Sequence, residues 1–335
     1  MEKCIIFVSK GCLLRIIALQ RSLLALDGQQ IKKKGEFMKA FQKIGAVFML
    51  SIVIFLSVAR VNSSAANVNI TKRELDYFKS VENKNTESYP SVRLRLGNTY
   101  INESAYLIND TTYIPLRAVT TLAGASVAYD SVTRCAYVTM PGLSLSVSDG
   151  SYIVYANERP MISFTPAVIL SDGRMYVPVR SIAKALSLGV EWLPERKVLL
   201  SGTVTPLTHA DYYYSYDQLY WLSRIISAES RGEPILGQIA VGNVVLNRVR
   251  HKDYPNTIYG VIFDKKYGVQ FSPVSNGSIY DVPSYNSVLA AKICLEGVSV
   301  SPDIIFFMEP SKSTSSWIYL NRPYAFTVAN HYFFF

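Results

Sequence analysis

In the stretch IISAESRGEP, residues 225–234, one carboxylate sits where a core residue would. Leu222, Ile225 and Ile226 precede Glu229 at i−7, i−4 and i−3 and share its face of an amphipathic helix. Gly232 and Pro234 stop that helix, because glycine is a poor helix former and the residue before a proline is pushed out of the α region. A carboxyl on such a stripe is desolvated, which disfavours its charged form, raises its pKa and suits it to donate a proton near neutral pH. On these residues alone, Glu229 is either a general acid or a satisfied buried hydrogen-bonding partner.

Glycoside hydrolysis by two carboxylates needs a second one, at roughly 5–5.5 Å for retention or roughly 6.5–9.5 Å for inversion. Glu233 is the nearest candidate in sequence, but Pro234 takes it off the helical path to a point where its charge suits the N-terminal cap of the next helix. It stands as a cap and as a candidate substrate-binding residue. Asp264 and Asp281 read as loop residues. Gln270 can both donate and accept, as an amide-bearing sugar requires, or bond to backbone within its loop. Asn247, on a mainly apolar helix, and His331, inside an aromatic run, are further candidates for substrate binding that also read as buried structural hydrogen-bonders. With His209, His251 and His331 the only histidines and neither CxxC nor HExxH, no metal site and no cofactor are expected.

The elements that must hold these residues are predicted as helices over 216–230, 234–250 and 285–296, the last closed by Gly297. Gly237, Ala240 and Gly242 in the second helix would let a neighbour approach closely. The stretch 267–284 reads as irregular, DIIFFME (303–309) as strand-like, and the chain closes on NHYFFF. Ahead of the first helix, Tyr212, Tyr213, Tyr214, Tyr216, Tyr220 and Trp221 could stack on sugar faces or pack between domains.

An internal repeat precedes this region. TYIPLRAVTTLAGASVAYDSVTRCAYV from Thr112 aligns with MYVPVRSIAKALSLGVEWLPERKVLL from Met175 at an offset of 63, matching Pro115 to Pro178, Arg117 to Arg180, Val127 to Val190 and Tyr129 to Trp192. Each copy reads as a strand, a proline that starts a helix, an amphipathic helix, and two strands around an aromatic corner. The expected organisation is therefore an α+β domain of duplicated strand-helix-strand units over 91–203, a linker over 204–215, and a mainly α domain over 216–335 that carries all the proposed chemistry.

The 335 residues are 49% hydrophobic, which excludes a disordered chain. The formal charge of +9 resides mostly in residues 1–66, which hold 10 of 34 basic and 3 of 25 acidic residues; the remainder is nearly neutral, so a nucleic-acid partner is not expected. From Met38, a basic start, an apolar run from Ile44 to Ala59 and small residues to Ala66 read as a secretory signal peptide over 38–66. An uncleaved membrane anchor is the alternative. Residues 1–37 read as an extension that translation from Met38 would omit, and 67–90 as a polar tether. Cys135 and Cys294, in separate domains, read as free buried thiols.

The doubled Y-[IV]-P-[LV]-R segment over 91–203 resembles the copper amine oxidase-like N-terminal domain, or stalk domain, of exported bacterial proteins. The resemblance implies a spacer or a wall-binding module; the segment has no histidine, so copper is not expected there. Arg117 and Arg180 could contact an acidic polymer or bond the repeat's own carbonyls. Further on, SAESRGEPILGQIAVGNVVLNRV, GVIFDKKYGVQFSPVSNG, IIFFMEPSKSTSSWI and ANHYFF resemble, in order, the spore cortex-lytic type of bacterial cell-wall hydrolase. That resemblance implies a lysozyme-like, mainly helical fold that cleaves peptidoglycan glycan strands between N-acetylmuramic acid and N-acetylglucosamine, with the catalytic glutamate at Glu229. One acid without a clear nucleophile fits lytic transglycosylation, with water-using muramidase action or a non-catalytic wall-binding role as alternatives. The expected location is the cell wall or the secreted fraction, and no activator protein is identifiable from the residues.

Overall fold

The computed structural model describes residues 86–266, 268–313 and 316–335; the 1–37 extension, the 38–66 leader and most of the 67–90 tether lie outside them. The described residues belong to one unit, residues 68–335.

Period-two alternation builds the sheet-rich N-terminal region. It comprises β1 (Ser91–Leu96), β2 (Thr99–Ile108), β3 (Thr111–Pro115), α1 (Leu116–Leu122), β4 (Ser126–Asp130), β5 (Cys135–Met140), β6 (Leu143–Ser148), β7 (Ile153–Ala156), β8 (Arg159–Ile162), β9 (Val168–Ile169), β10 (Met175–Pro178), α2 (Val179–Ala185), β11 (Gly189–Leu193) and β12 (Lys197–Ser201). The strands form a seven-stranded sheet, β11-β12-β1-β2-β3-β10-β9, and a five-stranded sheet, β4-β5-β6-β7-β8. In β6, Leu143, Leu145 and Val147 are buried while the serines between them are not, as one wet and one dry face require. Leu94, Ile114, Val138, Leu145, Val177 and Ile182 meet in one core from both sheets and both short helices. Asn109–Asp110 and Asn157–Glu158 turn the β2–β3 and β7–β8 hairpins with positive φ at both positions. Pro115 and Pro178 differ slightly from expectation: each ends a strand and occupies the N-cap, one position before the first helical turn.

The C-terminal region is mainly helical: α3 (Ala210–Tyr213), α4 (Tyr216–Ser230), α5 (Ile235–Arg250), α6 (Ile258–Phe263), α7 (Ser272–Asn276), α8 (Tyr285–Leu295), β13 (Phe306–Met308), α9 (Trp317–Asn321), β14 (Tyr324–Val328) and β15 (His331–Phe334). Helix α4 has its predicted bounds; α5 starts one residue late because Pro234 is its N-cap, and Gly297 follows α8 at φ +88°. Leu222, Ile225, Ile226, Val244, Val245, Ala290 and Ile293 form a core between α4, α5 and α8. Gly242 permits that approach, since a Cβ there would lie 2.7 Å from Cys294 Sγ and 2.8 Å from Ile226 Cδ1. The expected irregular stretch holds α7 and a 3-10 turn at Ser278–Tyr280, while β13-β15-β14 make a small antiparallel sheet. No helix among the described residues is long and apolar enough to cross a membrane.

The two regions share a buried junction. Glu296, just past α8, has a fully buried carboxylate that accepts from Arg159 Nε at 2.7 Å, Arg159 Nη2 at 2.9 Å and Tyr214 Oη at 2.6 Å, with Lys184 Nζ at 3.0 Å. Ile153 of β7 belongs to the helical region's core. The segment predicted as a linker is pinned as well: Asn157 Nδ2 donates to Leu207 O and Asn157 O accepts from Ala210 N.

Candidate active site

Helix α4 ends where the sequence places its stop, so Glu229 stands in the last turn with its stripe partners Leu222, Ile225 and Ile226 fully buried beneath it. The carboxyl is itself half-buried and lines a cleft of about 1010 Å³. Burial raises its pKa to about 7, and the cations of Arg248 and Lys312 oppose that rise without cancelling it. Among the described residues none donates a hydrogen bond to it. Glu229 is therefore a carboxylic acid that holds a proton near neutrality and faces open space.

Opposite α4, the cleft is lined by β13, by the segment Glu309–Ser313, and by Gln270 and Phe271. Trp317, Arg322 and His331 also line it. Arg248 reaches it from the last turn of α5 and is only 5% exposed. Its Nε donates to Ile305 O at 2.7 Å, and its guanidinium lies 5.1–5.5 Å from the ring centroids of Tyr254, Phe271 and Phe306. Its Nη1 is buried without a hydrogen-bond partner among the described residues. A desolvated cationic donor left unsatisfied is costly.

Besides Asp253, a further carboxylate, Glu309, lines the cleft with Glu229. Lys312 Nζ lies 2.8 Å from its Oε2, and that hydrogen bond holds the carboxyl below the usual glutamate range. Two carboxyls in one cleft are thus pushed in opposite directions, Glu229 up by burial and Glu309 down by its lysine.

Of the four residues predicted to bind substrate, two line the cleft. Gln270 does so while its Nε2 donates to Gly268 O at 3.1 Å within its own loop. His331 is 3% exposed, packs against Phe307, and has its Nδ1 3.7 Å from Glu233 Oε1. The other two do not line it. Asn247 is buried away from the cleft, its Nδ2 donating to Ser301 O at 3.1 Å and Ile304 O at 2.9 Å; it fastens the segment that leads into β13. Glu233 neither caps α5 nor faces the cleft: its carboxylate accepts from Asn330 Nδ2 at 2.9 Å and Asn330 N at 3.2 Å, tying the start of α5 to the β14–β15 turn. Within the aromatic cluster, the Arg159 guanidinium lies 3.3 Å over the Tyr213 ring and Trp221 is edge-on to Tyr259 and Phe263, while Tyr212 and Tyr216 are exposed.

Sequence reasoning passed over Arg248, Glu309 and Lys312. One arginine beside an asparagine on an apolar helix, and a Glu-x-x-Lys directly after a strand-like run, were the signals available. Among the described residues no group of three or more His, Cys, Asp or Glu is placed to hold a metal ion.

Residues 232–334 match the Cell Wall Hydrolase family and residues 96–200 the Copper amine oxidase N-terminal domain. The spore cortex-lytic enzyme of Bacillus cereus is 35% identical over 120 residues, 36% of this chain and 45% of the relative. That of Bacillus subtilis is 32% identical over 120 residues, 36% of this chain and 38% of the relative. The chain thus spans less than half the length of these curated relatives. Among solved structures, the catalytic domain of the germination-specific lytic transglycosylase SleB from Bacillus anthracis is 34% identical, with 36% of this chain and 97% of that one covered and a TM-score of 0.34. The chain carries a cell wall hydrolase domain at its C-terminal end, a copper amine oxidase N-terminal domain before it, and spore cortex-lytic enzymes among its relatives.

Proposed function

We propose that this chain is an exported enzyme that cleaves the glycan strands of peptidoglycan between N-acetylmuramic acid and N-acetylglucosamine as a lytic transglycosylase, its C-terminal domain having a lysozyme-like fold. The observation that carries the reading is Glu229, a carboxyl raised to about 7 by burial and open to a cleft of about 1010 Å³. The family match begins at residue 232, so the role of Glu229 rests on this geometry and on the sequence pattern around it. Glu229 gives its proton to the glycosidic oxygen as the bond to muramic acid C1 breaks. The C6 hydroxyl of the same sugar then attacks C1 and returns its proton to Glu229, which closes an anhydro ring and consumes no water. Arg248 and Gln270, which line the cleft, supply donors for the substrate's carbonyl and hydroxyl oxygens. Export rests on the leader read at 38–66, and the sheet-rich region is proposed as a duplicated strand-helix-strand unit.

One observation favours a second reading, hydrolysis by water. Glu309 is an ionised carboxylate in the same cleft and could serve as base, the role a muramidase of two carboxylates requires. Mass spectrometry of products from isolated peptidoglycan separates the two. Transglycosylation leaves anhydro-muramic ends one water lighter than the hydrolytic product, whereas reducing muramic ends alone would establish hydrolysis. Glu229→Gln keeps the shape but removes the proton, and turnover should fall by about 10²–10⁴-fold in a folded protein. Full activity in that variant would remove Glu229 from the chemistry.

A further inference from the structure

Two pockets lie in the sheet-rich region, well apart in sequence from the cleft residues. Arg117 and Tyr129 line one of about 360 Å³, beside Pro115; Arg180 and Trp192, 63 residues on, line the other of about 620 Å³, beside Pro178. The same repeat positions thus make both pockets, although β4 carries Tyr129 in the five-stranded sheet and β11 carries Trp192 in the seven-stranded one. Each of those strands is the outer strand of its sheet. Tyr129 is 42% and Trp192 50% exposed. An exposed aromatic on a sheet edge invites aggregation and contributes little to a core, so core packing does not account for its presence in both copies.

The polar lining also recurs. Glu103 joins Arg117 in the first pocket and Asp110 joins Arg180 in the second. Neither the Arg117 nor the Arg180 side chain has a hydrogen-bond or ion-pair partner among the described residues. The alternative that these arginines bond the repeat's own carbonyls is therefore not what the structure contains. An aromatic face with hydrogen-bonding groups of both signs suits a pyranose ring bearing hydroxyl and amide groups. A polyanion is less suited, because residues 91–203 carry 10 basic against 8 acidic residues and present no single-sign field.

We propose that these pockets are two equivalent subsites for a neutral, N-acylated glycan strand, so that the sheet-rich region holds the polymer that the helical region cuts. A repeating ligand is what two repeated sites can engage at once. Linking them in one chain turns two weak contacts into retention on the polymer, with avidity that can exceed either site by about 10²–10⁴-fold. The inference rests on peptidoglycan as the substrate and leaves the chemistry of Glu229 untouched.

The test uses the full chain carrying Glu229→Gln, incubated with wall sacculi before and after chemical removal of their acidic polymers. Tyr129→Ala and Trp192→Ala should each weaken sedimentation with stripped sacculi about tenfold, and the double variant at least 100-fold. In a wild-type Glu229 background, the double variant should cleave short soluble muropeptides at the parent rate. Unchanged binding by the folded double variant would overturn the proposal, and so would parent binding that vanishes once the acidic polymers are stripped, which would assign the pockets to a polyanion. Should the double variant not fold, Arg117→Gln with Arg180→Gln, both on exposed side chains, gives the same reading. Failure of the catalytic assignment registers separately, as strand cutting by the Glu229→Gln parent.

Discussion

At the scale of single residues, the property that matters is the proton on Glu229. Its folded pKa of about 7 exceeds the ordinary value of 4.5, so between those values the folded state binds more protons than the unfolded one. Stability must then fall as pH rises through that window and level off above it. Glu229→Gln lacks this titration. The variant should match the wild type in urea melts at pH 4.5 and exceed it by about 1–3 kcal/mol at pH 8. Catalysis runs the same way, since the acid must be protonated: kcat/KM should decline tenfold per pH unit above about 7. An alkaline limb that stays flat to pH 9, together with equal stabilities at both pH values, would show that Glu229 titrates as an ordinary surface carboxylate.

At the scale of elements, the cleft exists because α4, α5 and α8 come close enough to fix the ends of α4 and α5. Gly242 is the point of closest approach. Alanine is the better helix former by about 1 kcal/mol, so propensity alone predicts that Gly242→Ala stabilises. The added methyl would meet Cys294 Sγ at 2.7 Å and Ile226 Cδ1 at 2.8 Å, both in the buried core, and overpacking of that kind costs about 1–3 kcal/mol. The expected outcome is net destabilisation in denaturant melts, with activity lowered through the displaced Glu229. A more stable Gly242→Ala protein would mean that α5 and α8 have room to part.

At the scale of the whole molecule, the junction at Glu296 makes the sheet-rich region part of the helical one's fold. Removing Arg159 leaves the buried Glu296 carboxylate with only Lys184 and Tyr214 as partners, so Arg159→Met should cost about 1–3 kcal/mol. Replacing Glu296 as well, in Arg159→Met with Glu296→Leu, should recover much of that loss, which urea melts of the four proteins in the cycle would measure. Glu296 is held below the ordinary carboxylate range by Arg159, Tyr214 and Lys184 despite its burial, so its contribution is present above pH 4.5 and is lost as pH falls further. A fragment of residues 205–335 would test the same junction. That fragment keeps Tyr214 but loses Arg159, Lys184 and Ile153, and it should be less stable than the full chain.

What the sequence determined by itself was local: the stripe that ends in Glu229, the bounds of α4, the glycine that admits a neighbouring helix, and the repeat at an offset of 63. Each depends on periodicity or on one residue's backbone preference, which act over a few positions. The burial that raises the Glu229 pKa could be anticipated because it follows from the helix's own face. Only the tertiary structure decided which polar residues share that cleft. Arg248, Glu309 and His331 are spread over more than eighty positions and converge because β13 and β15 pair beside the end of α5. Asn247 and Glu233, near neighbours of the catalytic candidates in sequence, were assigned by the same packing to the backbone of 301–304 and to Asn330. A side chain's partner across the fold is set by how elements pack, and no spacing within one element encodes it.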